Sequence, residues 1–189
     1  MRQAVAEEAA RIMREQGVDD FLLAKRKAAE RLGVMDASIL PRNTEIEAAM
    51  VAHQRLFAAD RHERELAALR RSALEAMRLM ADFQPRLVGP VLAGTASAHS
   101  EINLHLFSET PEAVSIRLEE RGVPHEVRER RLRYERDRIV SYPAVHFVAG
   151  RQAVDAVVFP VDGIRQSPAS PVDGRPMRRA GVAEVEALL

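Results

Sequence analysis

The sequence contains no cysteine, only two lysines and no long uninterrupted apolar run. Without cysteine, the chain cannot belong to the small exported proteins that disulfides hold together. Its apolar runs are broken by charge and fall short of the ~20 residues that a membrane-spanning helix needs, so we expect no membrane partner. The N-terminal residues 1–8 carry acidic side chains where a secretory peptide needs an apolar stretch. These absences together predict a soluble, cytoplasmic protein.

The sequence also lacks an excess of positive or of negative charge. The 28 basic and 28 acidic residues cancel, and 14 of each lie within residues 1–84. The chain therefore lacks the positive field that draws general nucleic-acid binders to phosphate, and its sequence carries no strong nucleic-acid signal. The most basic local cluster in the first half is Lys25-Arg26-Lys27. Acidic residues close to it in sequence favour a solvated helix face over a phosphate site.

The first half of the chain has helical periodicity throughout. Hydrophobic residues make up 47% of 189 residues, which suffices for one sizeable core. Apolar residues three and four positions apart predict amphipathic helices, and glycines just after them predict their ends. The helices we expect are residues 3–16, stopped by Gly17; a second from its cap Asp19 to Gly33; a third from Thr44, which has capping-box spacing to Glu47; and a fourth ending near Asp82, after a break at residues 60–65.

The period changes to that of strands after Pro85, which predicts a sheet. With helices first and then the order β-β-α-β-β-β, the chain is expected to be α+β, with a helical region in residues 1–84 and a mixed-sheet domain in residues 85–189, packed as one unit. The expected strands are residues 87–92, 102–106, 126–134, 144–149 and 153–159; the expected helices are residues 111–121 and 182–189, with a loop at residues 160–176.

One segment, residues 92–107, carries most of the candidate chemistry. Gly94 allows close backbone approach in a turn of small residues. The hydroxyls of Thr95, Ser97 and Ser100, with the backbone amides between them, could bind phosphate oxygens and form an anion cradle. Glycine and serine also fill ordinary turns, so that alternative stays open. The segment predicts a nucleotide-binding turn.

In the strand that follows, Glu101, Asn103 and His105 share one face because side chains alternate. Mg²⁺ prefers hard oxygen ligands, which Glu101 offers as a carboxylate and Asn103 as a neutral carbonyl. His105 suits zinc or manganese better. The alternative is that this face is only the solvent side of an antiparallel sheet.

This segment resembles the DNA polymerase beta-like nucleotidyltransferase superfamily. The signature there is an apolar strand, Gly-Ser or Gly-Gly, about ten residues, and an Asp-x-Asp/Glu strand; the present chain has Gly94-Thr95 and then Glu101-Ile102-Asn103. The resemblance covers about residues 72–107 and implies Mg²⁺ (or Mn²⁺) and a nucleoside triphosphate. It also implies a third carboxylate from a later strand, for which Asp155 is the candidate. Asn103 replaces the second acid of the signature and removes one charge.

Three hypotheses for function follow. The first is an enzyme that transfers a nucleotidyl group to an unknown acceptor, with Glu101 and Asp155 as catalytic residues and Glu101, Asn103 and Asp155 as metal ligands. The second is a catalytically inactive binding or regulatory module of the same fold, which Asn103 favours. The third is a transition-metal enzyme that uses Glu101, His105 and His146. Asp155 and His146 also have structural interpretations, as an acid facing water on an edge strand and as a histidine of the core or sheet face.

Overall fold

A computed structural model describes residues 1–57, 59–135 and 138–189. They form two compact units. The first division along the chain falls after residue 66, inside a helix, whereas the sequence suggested a division after residue 84. The first unit contains Met1–Leu66, Thr95–Ser100 and Pro171–Asp173, and the second contains Ala67–Gly94, Glu101–Ser170 and Gly174–Leu189.

The first unit is built from helices whose apolar sides are buried. Buried residues recur three and four positions apart, as an amphipathic helix requires. In α1 they include Val5, Ala9 and Ile12, and Ile46 of α3 belongs to the same core. The helices are α1 (Arg2–Gln16), α2 (Phe21–Arg31), α3 (Asn43–Phe57) and residues 59–66 of α4 (Ala59–Leu79), with a 3-10 turn at Ala37–Ile39.

The predicted helix starts are wrong in detail. Asp20, not Asp19, caps α2, because its Oδ1 accepts hydrogen bonds from the amides of Leu22 and Leu23 at 2.7 and 3.0 Å. The helix α3 begins at Asn43, before the predicted cap. The break expected at residues 60–65 is also wrong, since these residues are helical. Sequence patterns place helix ends only to within a residue or two.

The cap of α2 yields a direct test. We expect Asp20→Ala to lower the free energy of unfolding by about 1 kcal/mol, because two amide donors of the first turn lose their acceptor. Asp19→Ala is the matched control and should cost clearly less. Urea denaturation followed by circular dichroism compares the two variants. Equal losses in both would show that Asp20 is not the cap.

The second unit is built around a five-stranded mixed sheet, which confirms the α+β class. The strand order is β1-β2-β5-β4-β3, with β2 and β5 parallel and the other pairs antiparallel. The strands are β1 (Arg86–Val88), β2 (Ile102–Phe107), β3 (His125–Arg133), β4 (Ile139–Ala149) and β5 (Gln152–Phe159). Its helices are residues 67–79 of α4, α5 (Gly89–Ala93), α6 (Glu112–Glu120) and α7 (Val182–Glu186).

Two strand boundaries differ from those predicted by more than one residue. The strand expected at residues 87–92 ends at Val88, and the following residues form the short helix α5. Gly89 turns the chain at a φ of 72°, and Pro90 fits a first helical turn because it has no amide hydrogen to satisfy. The strand β4 begins at Ile139, five residues before its predicted start. The loop expected at residues 160–176 contains a 3-10 turn at Val161–Arg165.

Alternation in β2 and β5 gives the sheet two different faces. Ile102, Leu104 and Leu106 are buried on one face, and their register partners on β5 are apolar as well. The opposite face carries Asn103 and Asp155 at neighbouring register positions. In the part of the chain that the structure describes, no helix combines the length and apolarity needed to cross a bilayer. The candidate site lies on this polar face.

Candidate functional site

Asp155 lies at the centre of the polar sheet face. It sits on β5, the middle strand, in register with Asn103 of β2 on one side and His146 of β4 on the other. Only 3% of its surface is exposed. The interpretation of Asp155 as a solvated acid on an edge strand is therefore wrong. A carboxylate buried this deeply requires a positively charged or hydrogen-bonding partner.

That partner is Arg130, which reaches across the sheet from the edge strand β3. Its Nε donates a hydrogen bond to Asp155 Oδ2 at 2.7 Å. Its Nη2 lies 3.8 Å from Glu101 Oε2, close enough for an ion pair. One guanidinium thus stands between the two carboxylates that the superfamily resemblance assigns to metal. The other oxygen of Asp155, Oδ1, is buried and has no hydrogen-bond partner among the described residues.

His146 completes what we name the carboxylate cluster: Glu101, Asn103, Arg130, His146 and Asp155. The His146 Nε2 atom lies 3.3 Å from Glu101 Oε1. His146 is partly buried on the sheet face, as its structural interpretation required. Glu101 therefore has two nitrogen neighbours, the His146 ring and the Arg130 guanidinium. The structure brings Glu101, Asn103 and Asp155 together on one face, but with a permanent cation among them.

The carboxylate cluster as arranged does not fit a divalent ion. Arg130 already binds the most buried acid, and Asn103 contributes no charge to offset that of a metal. Within residues 1–57, 59–135 and 138–189, no group of three or more histidine, cysteine, aspartate or glutamate side chains could hold a metal ion. Magnesium sites normally use one or two carboxylates together with water and substrate phosphates. The predicted ligand set Glu101, Asn103 and Asp155 stays a prediction.

The predicted nucleotide-binding turn belongs to the first unit from Thr95 to Ser100. Its polar groups bond to one another: Ser97 N donates to Ser100 Oγ at 3.0 Å, His99 N donates to Ser97 Oγ at 3.4 Å, and Ser100 N donates to Ser97 O at 3.0 Å. Gly94 ends α5 with a φ of 85°. Three amides that an anion cradle would use are thus engaged inside the turn, and phosphate binding there stays a prediction.

His105 has a structural partner that the sequence did not reveal. Arg179 Nε donates to His105 Nδ1 at 2.9 Å, so the ring is neutral with its proton on Nε2. Arg179 also donates to the carbonyls of Gly163 and Ile164, and its guanidinium lies 5.0 Å from the ring centre of Phe107. Burial, and then the positive charge of Arg179, lowers the pKa of His105 to about 3. These contacts account for His105 without a transition metal.

Gly89 is a residue of the site that sequence reasoning missed. A Cβ atom on Gly89 would lie 3.0 Å from Asn103 Nδ2, a tight contact that would push this amide aside, and the φ of 72° also favours glycine. A signal was present in the sequence. Ten residues, 91–100, separate Gly89-Pro90 from Glu101, whereas only five, 96–100, separate Gly94-Thr95 from it. The first spacing matches the superfamily signature better, although Pro90 replaces the small second residue.

Comparison of the chain with protein-family models, with curated proteins and with solved structures finds no match. The superfamily resemblance therefore depends on the residue pattern around Glu101 and stays a hypothesis. The chemistry of the site follows from its own geometry. That geometry is a buried acid and a second acid on one arginine, with a neutral amide beside the buried acid on the neighbouring strand.

The buried His105 predicts a dependence of stability on pH. The folded pKa of about 3 lies below the ~6.5 of an unfolded histidine. The unfolded chain therefore binds a proton that the native chain does not. Stability is fully present above about pH 6.5 and declines as the pH falls toward the folded pKa. The expected decline from His105 is at most about 1.4 kcal/mol per pH unit.

His105→Asn is the informative variant, because its amide oxygen can still accept the Arg179 hydrogen bond. Urea denaturation at several pH values between about 6.5 and 5, where most carboxylates stay ionised, measures the slope for both proteins. We expect a shallower slope in the variant, whatever its absolute stability. Identical slopes would mean that His105 takes up a proton in the native state.

Gly89 also yields a prediction. Gly89→Ala should lower the free energy of unfolding by more than Gly174→Ala does, by about 1–3 kcal/mol. Both glycines have nearly the same φ, 72° and 74°, but no atom lies within 4 Å of a Cβ at Gly174. The difference thus isolates the collision with Asn103 from the backbone strain. Chemical denaturation of the two variants is the measurement, and equal losses would refute the close approach.

Proposed function

We propose that the chain is a nucleotide-binding module with a nucleotidyltransferase-like sheet, which binds nucleoside triphosphates without metal and does not transfer them. The observation that carries this proposal is the Arg130–Asp155 ion pair. In a metal-dependent transferase the paired acids must be available to cations that clamp the reacting oxygens. In this chain the most buried acid, Asp155, already has a guanidinium nitrogen at 2.7 Å, and Asn103 stands where the signature has its second acid.

Arginine supports the binding part of the proposal. A guanidinium presents its donors in a planar fork that matches phosphate oxygens. The side chain of Arg130 is 43% exposed although Asp155 beneath it is buried, so a ligand on the sheet face can reach the guanidinium. Asp155 holds the guanidinium in place, which reduces the entropy that a phosphate contact would otherwise cost. Metal is then not needed to neutralise phosphate charge.

A second candidate function is nucleotidyl transfer with Mg²⁺ or Mn²⁺ to an unknown acceptor. One observation favours it: Asp155 Oδ1 is a buried acceptor without a partner among the described residues. Such an atom normally has a donor, a water or an ion. This function requires Arg130 to leave Asp155. The two candidates therefore differ in how nucleotide binding depends on metal.

The test is calorimetric titration of ATP, GTP, CTP and UTP into the full chain, once with a chelator and once with Mg²⁺ or Mn²⁺. We expect at least one nucleotide to bind with an affinity that metal changes by less than about threefold, a difference below 1 kcal/mol. Pyrophosphate release is assayed in parallel and should stay at background. Metal-dependent binding with turnover would establish the enzyme instead. Absence of binding under every condition would reject both candidates.

Variants test whether Arg130 makes the contact with the nucleotide. We expect Arg130→Ala to weaken nucleotide binding by about 10- to 100-fold, the range for loss of a charge-assisted hydrogen bond. Arg128→Ala is the matched control, since Arg128 is similarly exposed and pairs with Glu126 rather than with the cluster. It should change affinity far less. Glu101→Gln separates the candidates further, because it should leave metal-free binding intact and abolish metal-dependent transfer.

A further inference from the structure

We infer that Arg130 is a built-in cation that keeps divalent metal off a latent site formed by Glu101 and Asp155, so that removing its charge creates metal affinity. This inference goes beyond the proposed function and does not depend on nucleotide binding. It starts from the disagreement between the superfamily resemblance, which implies metal, and the carboxylate cluster, which does not fit one. Two observations support a latent site: both acids contact the same guanidinium, and Asp155 Oδ1 is a buried acceptor without a partner among the described residues.

Electrostatics makes the guanidinium and a metal ion mutually exclusive. Glu101 and Asp155 supply two negative charges, and Arg130 offsets one of them. A divalent ion on Asp155 Oδ2 would meet the guanidinium that already stands 2.7 Å from this oxygen. Like charges this close repel strongly, most of all beside a buried group where water screens poorly. Metal can therefore bind only after Arg130 has left.

The exposures of the two side chains decide which one can move. Asp155 is fixed on the middle strand with 4% of its side chain exposed, whereas Arg130 stands on the edge strand with 43% exposed. The arginine reaches Asp155 across β4, which presents Tyr142, the small Ala144 and His146 on the same sheet face. Its stem can swing toward solvent without disturbing the sheet. Loss of Arg130 should therefore uncover two acids that keep their positions.

The experiment measures binding of Mn²⁺ alone, by electron paramagnetic resonance of the unbound ion, to metal-free full-length protein. The variants are Arg130→Gln, which keeps part of the stem, Arg130→Ala, and Arg130→Lys, which keeps the charge. Arg128→Ala is the control for a general loss of positive charge on this face. We expect Arg130→Gln and Arg130→Ala to bind one Mn²⁺ at least about 10-fold more tightly than the original chain, a difference of about 1.4 kcal/mol. Arg130→Lys and Arg128→Ala should stay close to the original.

A double variant locates the ion. Adding Asp155→Asn to Arg130→Gln should return Mn²⁺ binding to the original level. Circular dichroism and the urea midpoint establish that each variant is folded before its titration. If the folded Arg130→Gln and Arg130→Ala proteins bind Mn²⁺ no better than the original, the inference fails. It also fails if Arg128→Ala gains as much affinity, since the effect would then be one of net charge.

These outcomes are separate from those of the proposed function, because no nucleotide is present. A chain that binds no nucleotide could still acquire a metal site when Arg130 is replaced. Conversely, a chain that binds nucleotide without metal could show no Mn²⁺ gain, and then only the latent site would be rejected.

Discussion

The burial of Asp155 on the middle strand is the constraint on which the rest of the site depends. A carboxylate with 3% exposure cannot stay charged there without a cation. The edge strand β3 supplies that cation through Arg130, so the β3–β4 hairpin has a polar role in addition to pairing strands. Removing Arg130 would leave the buried Asp155 without its cation, which costs far more than the pair itself contributes.

A second arginine, Arg179, lies at the other end of the polar face, and neighbouring groups offset its charge as well. The Arg179 guanidinium lies 5.0 Å from the ring centres of both Phe107 and Phe159, and it donates to the neutral ring of His105. Here the positive charge is offset by aromatic faces and carbonyl dipoles instead of by carboxylates. The two arginines divide one sheet face into a charged end and an aromatic end. Only the charged end combines exposed donors with buried acceptors, which is why the ligand is proposed to bind there.

Much of the fold was predictable from the sequence, because the alternation of apolar residues in strands and their spacing in helices follow from burial alone. The strand Ile102–Phe107 and the helix Glu112–Glu120 lie within one residue of their predicted bounds. The chain departs from the pattern where backbone chemistry overrides apolarity, as at Gly89-Pro90, which turns an apolar run into a helix. In the site, both acids were identifiable from their residue types. Their partner was not, because 26 arginines stand in the sequence and only tertiary geometry selects Arg130.

Asn103 and Arg130 are best understood together. Asn103 and Asp155 are register partners on adjacent parallel strands, so their side chains emerge about 5 Å apart on the same face. An acid at position 103 would place a second carboxylate directly beside a buried one, and two such charges require more than one positive charge nearby. A divalent ion meets that requirement, whereas a single guanidinium does not. With an amide at position 103 this repulsion is absent, and Asp155 pairs with one arginine. Asn103 and Arg130 are thus two parts of one electrostatic arrangement, in which a neutral amide beside Asp155 leaves a single guanidinium to pair with the buried acid.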